Sequence, residues 1–369
     1  MKKIIIYLII ILLIFFIGKG IYQINSEKNN VENKVNSNTE IKDNKLVKTD
    51  GINSVLTLDD EITNDTIWCG TFQLIWNDLK NDLAKQDIVF TPQKNVVKNL
   101  NKETFSTKDI SEKYYYKKIG TPSIELKQEI ENAIKEKFNE KSDILDDFNW
   151  SGNEKDYFLY AMLKKDFQFE KAFDELEKSN FKTFSGINYF GIKKNTDNSE
   201  LRNQVEVLYY NSKEDFAIKL KTKQEDEVIL CKSPKGISFN EIYNNILKQK
   251  DEYKGNRNLE EKEIVKIPNL NIKEKNEFTE LENNEFYFAN GDTYIIDRAI
   301  QTIQFELDKT GGKIKSEAGM STRVTSLMPE ESPREFSIDD SFAIFLIENG
   351  KEHPYFAGKI DDITKFQNK

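Results

Sequence analysis

Three consecutive segments between residues 203 and 234, "NQVEVLYYNS", "FAIKLKTK" and "DEVILCKSP", alternate apolar and polar side chains and are separated by only two or three polar residues. Period-two alternation sends successive side chains to opposite faces of a strand, and connections this short join antiparallel neighbours. A meander of three strands is therefore built into the middle of the chain. Other segments carry the helical period: Phe72, Leu74, Ile75, Leu79 and Leu83 in "TIWCGTFQLIWNDLKNDLAKQ", and "SIELKQEIENAIKEKFNEKSDIL", where Ser123 stands as N-cap with Glu125 just inside. "SFNEIYNNILKQK" reads as a short helix. "DIVFTP", "KDYFLYAMLKKDF", "EIVKIPNLNIKEK" and "RAIQTIQFEL" read as strands, and "SFAIFLIENGKEHPYFAGKI" reads as a hairpin turning at Asn349-Gly350. Strand-rich stretches with scattered helices predict an α+β fold with a large sheet.

Composition bounds the function. With 369 residues and 38% hydrophobic content the chain can bury a large core, and 25 Phe with 15 Tyr argue against wholesale disorder. A net charge of −9 with no basic cluster argues against a nucleic-acid partner. The chain holds one histidine, His353, and two cysteines, Cys69 and Cys231, too few for a four-ligand zinc site without carboxylates. No metal and no cofactor is expected. His353 in "GKEHPYF" reads as a solvent-facing turn residue, and nucleophile elbows, phosphate loops and H-E-x-x-H are missing from the sequence. We therefore expect no enzyme. The two cysteines lie in apolar surroundings that suit buried thiols, and whether they pair is left open.

The N-terminus has its own signal. "MKKIIIYLIIILLIFFIGKG" holds two lysines, an apolar run from Ile4 to Gly18, and then Lys19. The run fits an uncleaved signal anchor or a cleaved signal peptide, and the lack of a small-residue cleavage site favours the anchor. The lysines ahead of it keep the N-terminus cytoplasmic, so the remainder is expected outside a membrane or secreted. Residues 26–62 are polar and asparagine-rich. The organisation expected is a signal segment at 1–22, a linker without a fold of its own at 23–63 and one domain at 64–369.

The order of these segments resembles the serpin family. "FSIDDSFAIFLIENGKEHPYFAGKI" is similar to the serpin ending, with Phe336, Asp339, Phe342, Phe345, Pro354, Phe356, Gly358 and Lys359 matching and Ser341 replacing a usual proline. "GTFQLIWNDLKNDLAKQDIVFTP" is similar to the first serpin helix and the strand after it, with Thr91-Pro92 in the place of Ser-Pro. "LYAMLKKDFQFEKAF" keeps Phe173 but has Ala161 for the family's asparagine and Phe169 for its tryptophan. "DEVILCKSP" resembles the strand ending in Leu-Pro, and "IVKIPNLNIKE" the proline-bearing paired strands. The region between Pro92 and Ser123 is shorter than in the family, which implies an abbreviated member. Lys94 also falls where the family has a serine.

The resemblance implies a protease inhibitor, monomeric, whose partner is a serine or cysteine protease. Its segment 305–336, "FELDKTGGKIKSEAGMSTRVTSLMPEESPREF", would be an exposed reactive loop. After cleavage such a loop enters the central sheet as a new strand. Its hinge would be Thr310, Gly311, Gly312, Ile314, Ser316 and Ala318, and cleavage would fall at Arg323, Val324 or Thr325. An inserting strand must put small or apolar residues on its buried face. Gly312, Ile314, Ser316, Ala318 and Met320 alternate with Lys313, Lys315, Glu317 and Gly319 in that manner. The strands flanking the gap would be "DYFLYAML" and "TIQFEL", in one sheet. Against inhibition, Lys313 and Ile314 are bulkier than the family's alanine hinge. A non-inhibitory binding protein outside the membrane that keeps the serpin body is the alternative.

Overall fold

The computed structural model describes residue 46 and residues 48–194, 198–224, 226–312 and 333–367. The chain enters through β1 (Asn53–Ser54) and β2 (Thr66–Cys69), then forms α1 (Thr71–Asp78), which winds on as a wider turn to Ala84, and α2 (Asn95–Leu100). Next come β3 (Tyr115–Gly120), α3 (Ile124–Phe138), β4 (Phe158–Leu163) and β5 (Phe167–Gln168). A hairpin, β6 (Asp174–Phe181) and β7 (Phe184–Ile192), precedes α4 (Ser199–Asn203) and the meander β8 (Val205–Ser212), β9 (Asp215–Lys221) and β10 (Asp226–Lys232). After α5 (Phe239–Glu252) the chain runs through β11 (Ile264–Pro268), β12 (Leu270–Glu277), the hairpin β13 (Glu285–Tyr287) and β14 (Thr293–Ile295), β15 (Ile300–Leu307) and β16 (Gly311–Gly312). It closes with β17 (Glu335–Ser337), β18 (Phe342–Glu348) and β19 (Phe356–Ile360). The α+β expectation holds.

The largest sheet is seven-stranded, in the order β1-β2-β19-β18-β10-β9-β8, and it contains the expected meander and C-terminal hairpin. Its central strands are covered on both faces, which is why β18, "FAIFLIE", shows no alternation and is buried from end to end. On one face Phe239 and Tyr243 of α5 meet Phe345; on the other, Phe305 of β15 lies 4.7 Å, centroid to centroid, from Phe356. A four-stranded sheet, β17-β11-β7-β6, packs into the same core. Two satellite cores complete the body. α1 and α2 enclose Phe72, Trp76 and Phe90 with Phe278, Phe286 and Phe288, and α3 lays Leu126, Ile130 and Ile134 against Phe158 and Tyr160 of β4. Ser123 caps α3 as expected, its hydroxyl accepting from the Leu126 amide at 3.1 Å.

Several expectations need correction. The packed chain begins before residue 64: Ile52, Leu56, Leu58 and Ile62 are buried, and Trp68 Nε1 donates to the Leu56 carbonyl at 3.1 Å. These apolar residues are spaced irregularly among polar ones, so the segment shows no period and reads as a linker. The stretch 66–86 is a strand followed by a helix, because Gly70 lies with its Cα against the Phe105 ring and separates the two. "DIVFTP" forms no strand; Ile88 and Phe90 are buried without a ladder partner, and their backbone is held by Asn101 and Gln93. β11 and β12 follow one another but do not pair: β11 lies between β7 and β17, and β12 joins β15. β4 and β15 were expected in one sheet, yet among the described residues each pairs outward, β4 with β3 and β15 with β12, and they belong to different sheets. The reason is the open space between them.

Candidate functional site

β4 and β15 form opposite walls of a cavity of about 790 Å³, floored by Leu346 and Phe356 of the seven-stranded sheet and by Phe72 and Trp76 of α1. Its outer edges are firm. β15 keeps eight consecutive register pairs with β12, and β4 keeps six with β3. Its inner edges carry no ladder along β4 or β15 among the described residues. A strand edge facing a cavity leaves amide and carbonyl groups that want a partner. The two walls also agree in orientation. Ala161 and Leu163 of β4, and Ile303, Phe305 and Leu307 of β15, all turn to the main core, while Phe158, Tyr160 and Met162 turn to α3.

The head of this slot is already bridged. After β15 the chain reverses at Asp308–Gly311, where the Asp308 amide donates to the Gly311 carbonyl (3.0 Å) and the Gly311 amide to the Asp308 carbonyl (3.3 Å). The Thr310 amide and hydroxyl both donate to Asp308 Oδ1, at 2.7 and 2.6 Å, which fixes the turn. β16 then pairs antiparallel with β5, Gly311 opposite Gln168 and Gly312 opposite Phe167. Amides of Phe169 and Phe173 hold the Thr310 and Lys309 carbonyls at 3.0 and 2.8 Å. Both glycines are required here. Gly311 sits at φ +140°, and a Cβ on it would lie 2.3 Å from the Phe167 carbonyl oxygen; a Cβ on Gly312 would lie 2.7 Å from the Phe167 ring.

Thr310, Gly311 and Gly312 of the expected hinge therefore stand together at the head of the slot, and Gly312 lines the cavity. The remaining hinge residues, Ile314, Ser316 and Ala318, and the expected cleavage residues, Arg323, Val324 and Thr325, lie outside the described residues, as do the signal segment at 1–22 and the linker as far as residue 45. No helix among the described residues is long and apolar enough to cross a membrane. Past the undescribed segment the chain is fixed again by Arg334. Its guanidinium pairs with both oxygens of the buried Glu263 and donates to Tyr253 Oη (3.0 Å) and to the carbonyls of Asn256 (2.7 Å) and Asn258 (3.0 Å). Phe336 and Ser337 continue into the β17–β11 ladder.

Other candidates resolve differently. Cys69 and Cys231 are free thiols, and burial pushes the Cys231 thiol up to about 12. His353 is not a solvent-facing turn residue: its Nδ1 lies 3.1 Å from Asp109 Oδ1, and that carboxylate is buried. No cluster of three or more metal-ligating side chains occurs among the described residues. Sequence reasoning missed an ionic group beside the slot, Lys165 with Asp226 and Glu348. The only trace of it is a lysine pair interrupting an apolar strand at "AMLKKDF".

No family model matches the chain and no curated protein matches it. Among solved structures it is similar to serpins. Serpin48 from the insect Tenebrio molitor aligns at TM-score 0.39 and 13% identity, over 69% of this chain and 76% of that one. Tengpin, a thermophilic serpin in its native state, aligns at TM-score 0.40 and 13% identity, over 65% and 64%. Human kallistatin aligns at TM-score 0.39 and 13% identity, over 74% and 71%.

Proposed function

We propose that the chain is a divergent, serpin-like protein that inhibits a protease by taking its own cleaved segment into the slot between β4 and β15. The observation that carries this reading is β16, two residues that already bond to the heads of both walls. The β16–β5 ladder and the single Asp308–Gly311 bridge fix a register. Continued without a bulge, Ile314 stands opposite Phe305 and Lys165, Ser316 opposite Ile303 and Leu163, and Ala318 opposite Gln301 and Ala161. These positions share the face that the two walls turn to the main core, so the small-and-apolar set of the alternation is the one that would be buried. Lys313 falls on the other face, opposite Glu306 and Asp166, where cross-strand attraction favours it despite its bulk. The same count brings residues 313–321 to the foot of β4 at Phe158. Arg323, Val324 and Thr325 come next, and they are the bonds a protease would meet.

Nothing in this scheme asks the chain for a nucleophile; the protease supplies it. Arg323 would suit a protease with an acidic specificity pocket through charge-assisted pairing, and Val324 one with a small apolar pocket. The apolar run Ile4–Gly18 is taken as an anchor that holds the body at the outer face of a membrane. The test is incubation of the domain with a panel of trypsin-like and elastase-like proteases, followed on a denaturing gel and by thermal melting. A covalent complex with the protease, together with a higher midpoint of the cleaved chain, is the expected outcome. Cleavage with a higher midpoint but no complex would leave insertion and remove inhibition, favouring a non-inhibitory binding protein. Cleavage with no change of midpoint overturns the reading.

A further inference from the structure

At the head of the β4 wall the chain buries a charge cluster drawn from five places. Lys165, between β4 and β5, has a side chain only 1% exposed; its Nζ lies 2.6 Å from Asp226 Oδ1 on β10 and 2.9 Å from Glu348 Oε2 on β18. The same ammonium stands 4.0 Å from the centre of the Tyr114 ring and 5.2 Å from that of Tyr355. Tyr355 Oη donates to Asp226 Oδ1 at 3.2 Å, and Ser111 donates to Glu348 through its amide at 3.1 Å and through its hydroxyl. Two carboxylates thus share one ammonium, and Asp226 Oδ2 has no hydrogen-bond partner among the described residues. A buried ion cluster is poor evidence of stability, because the desolvation of its members offsets most of their attraction. What this one does is join the β4–β5 wall to the two central strands of the seven-stranded sheet. The opposite wall is joined to the same sheet by neutral contacts, Gln301 Nε2 donating to the Cys69 carbonyl (3.0 Å) and to Thr71 Oγ1 (2.8 Å).

We propose that Lys165 is a positioning residue, holding the β4 wall through Asp226 and Glu348 in a tie that one proton releases, so that acid widens the head of the slot. The titratable groups facing Lys165 are these two carboxylates, Tyr114 and Tyr355, with Cys69 of β2 beyond Tyr355. Of the carboxylates, Asp226 is the one that gains the proton. Burial raises its pKa above the ordinary carboxylate value in spite of Lys165 and Tyr355, whereas hydrogen bonds from Ser111 and Lys165 outweigh burial at Glu348 and lower it. Protonated Asp226 leaves Lys165 with Glu348 alone. The sequence signal is slight, but the geometric consequence is definite: Cys69, which lines the slot, reports on its opening.

The test uses the uncut protein with Cys231→Ser, so that Cys69 is the only thiol, and a dithiodipyridine reagent. The labelling rate of each variant is first divided by its own thiolate fraction, from a direct titration of Cys69 in that variant, and the corrected rate of Asp226→Asn is then divided by that of Asp226 at each pH. At about pH 7.5 the asparagine variant should label about tenfold faster, the effect of losing one charge-assisted hydrogen bond, and the ratio should fall towards one at a pH below the raised folded pKa of Asp226. Lys165→Met should label fast at both pH values, and Lys165→Arg should restore the slow rate. A substitution that merely loosened the fold would keep its ratio on acidification. A ratio near one at about pH 7.5, or one that does not fall with pH, overturns the tie. The link to insertion rests on the proposed function above and is read separately, as faster stabilisation of cleaved Asp226→Asn. A pH-dependent ratio in a protein that gains nothing on cleavage would support the tie and sink insertion.

Discussion

His353 and Asp109 show how single residues set the pH range of this protein. The hydrogen bond that His353 donates to Asp109 raises the histidine above its ordinary pKa against the opposing pull of burial. At Asp109 burial acts upwards, but the hydrogen bonds from His353 and from the Ser106 amide prevail and lower the carboxyl. A histidine with a raised folded pKa contributes stability that is complete below its unfolded value of about 6.5 and is lost as pH rises through the folded value. The depressed carboxyl contributes above its unfolded value of about 3.9 and loses that contribution as pH falls through the folded value. The pair is therefore strongest from about pH 4 to about pH 6.5, where His353→Ala should lose about 1 kcal/mol by denaturant titration and at about pH 9 much less. Equal losses at both ends would show that the pair is not charged. Gly311 makes a second point at this scale. Alanine there must take φ +140° and put its Cβ against the Phe167 carbonyl, so Gly311→Ala should cost about 1–3 kcal/mol in the uncut protein. Gly186, also at positive φ but with open space around it, should accept alanine at a smaller cost, about 1 kcal/mol.

Elements were legible in the sequence wherever one period ran through them undisturbed. The meander β8–β10 and the helices α3, with its expected N-cap Ser123, and α5 are of this kind. β18 was legible for the opposite reason, since an unbroken apolar run of strand length bounded by turns fits a strand buried on both faces. What failed were segments governed by partners distant in sequence. Residues 49–62 are ordered by Glu274, Asn276 and the core rather than by any local pattern, the Thr49 amide donating to Glu274 Oε2 at 3.0 Å. β12 carries Glu274 and Asn276 at buried positions, which sequence alternation cannot anticipate. The slot was legible only in part. Its glycine head and the alternation after it could be read, whereas the Lys165 cluster brings together residues as far apart as Ser111 and Glu348, separated by 237 positions. The register makes the alternation testable. Ala318→Arg would place a charge opposite Gln301 and Ala161, beside the main core, at a cost of several kcal/mol to the inserted state. That variant should fold and be cut like the parent and then gain little on cleavage. Glu317→Arg, opposite Thr302 and Met162 on the other face, should gain as much as the parent. Equal gains in midpoint from the two would show that the segment does not follow this register.

For the whole molecule, the slot means that the body described here leaves part of its potential core unmade. Two strand edges face each other across about 790 Å³ without a ladder between them among the described residues. A strand reaching from Gly312 to the level of Phe158 would be bonded on both sides and would bury Ile314, Ala318 and Met320. On the proposed reading the uncut chain does not supply it. β16 is fixed at one end of the segment, and Arg334 with β17 is fixed at the other by Glu263, Tyr253 and the β11 ladder. One cut between them frees the strand while leaving the distal end in place. The thermal midpoint should then rise by roughly 10 °C or more, which corresponds to several kcal/mol for a body of this size. The cut must fall far enough along to leave the strand intact. Cleavage near Arg323 should give the full rise, and cleavage engineered at position 315 should give almost none, because only Lys313 and Ile314 would then remain attached beyond β16. A midpoint that rises equally after both cuts would mean that the gain comes from releasing the loop, not from filling the slot.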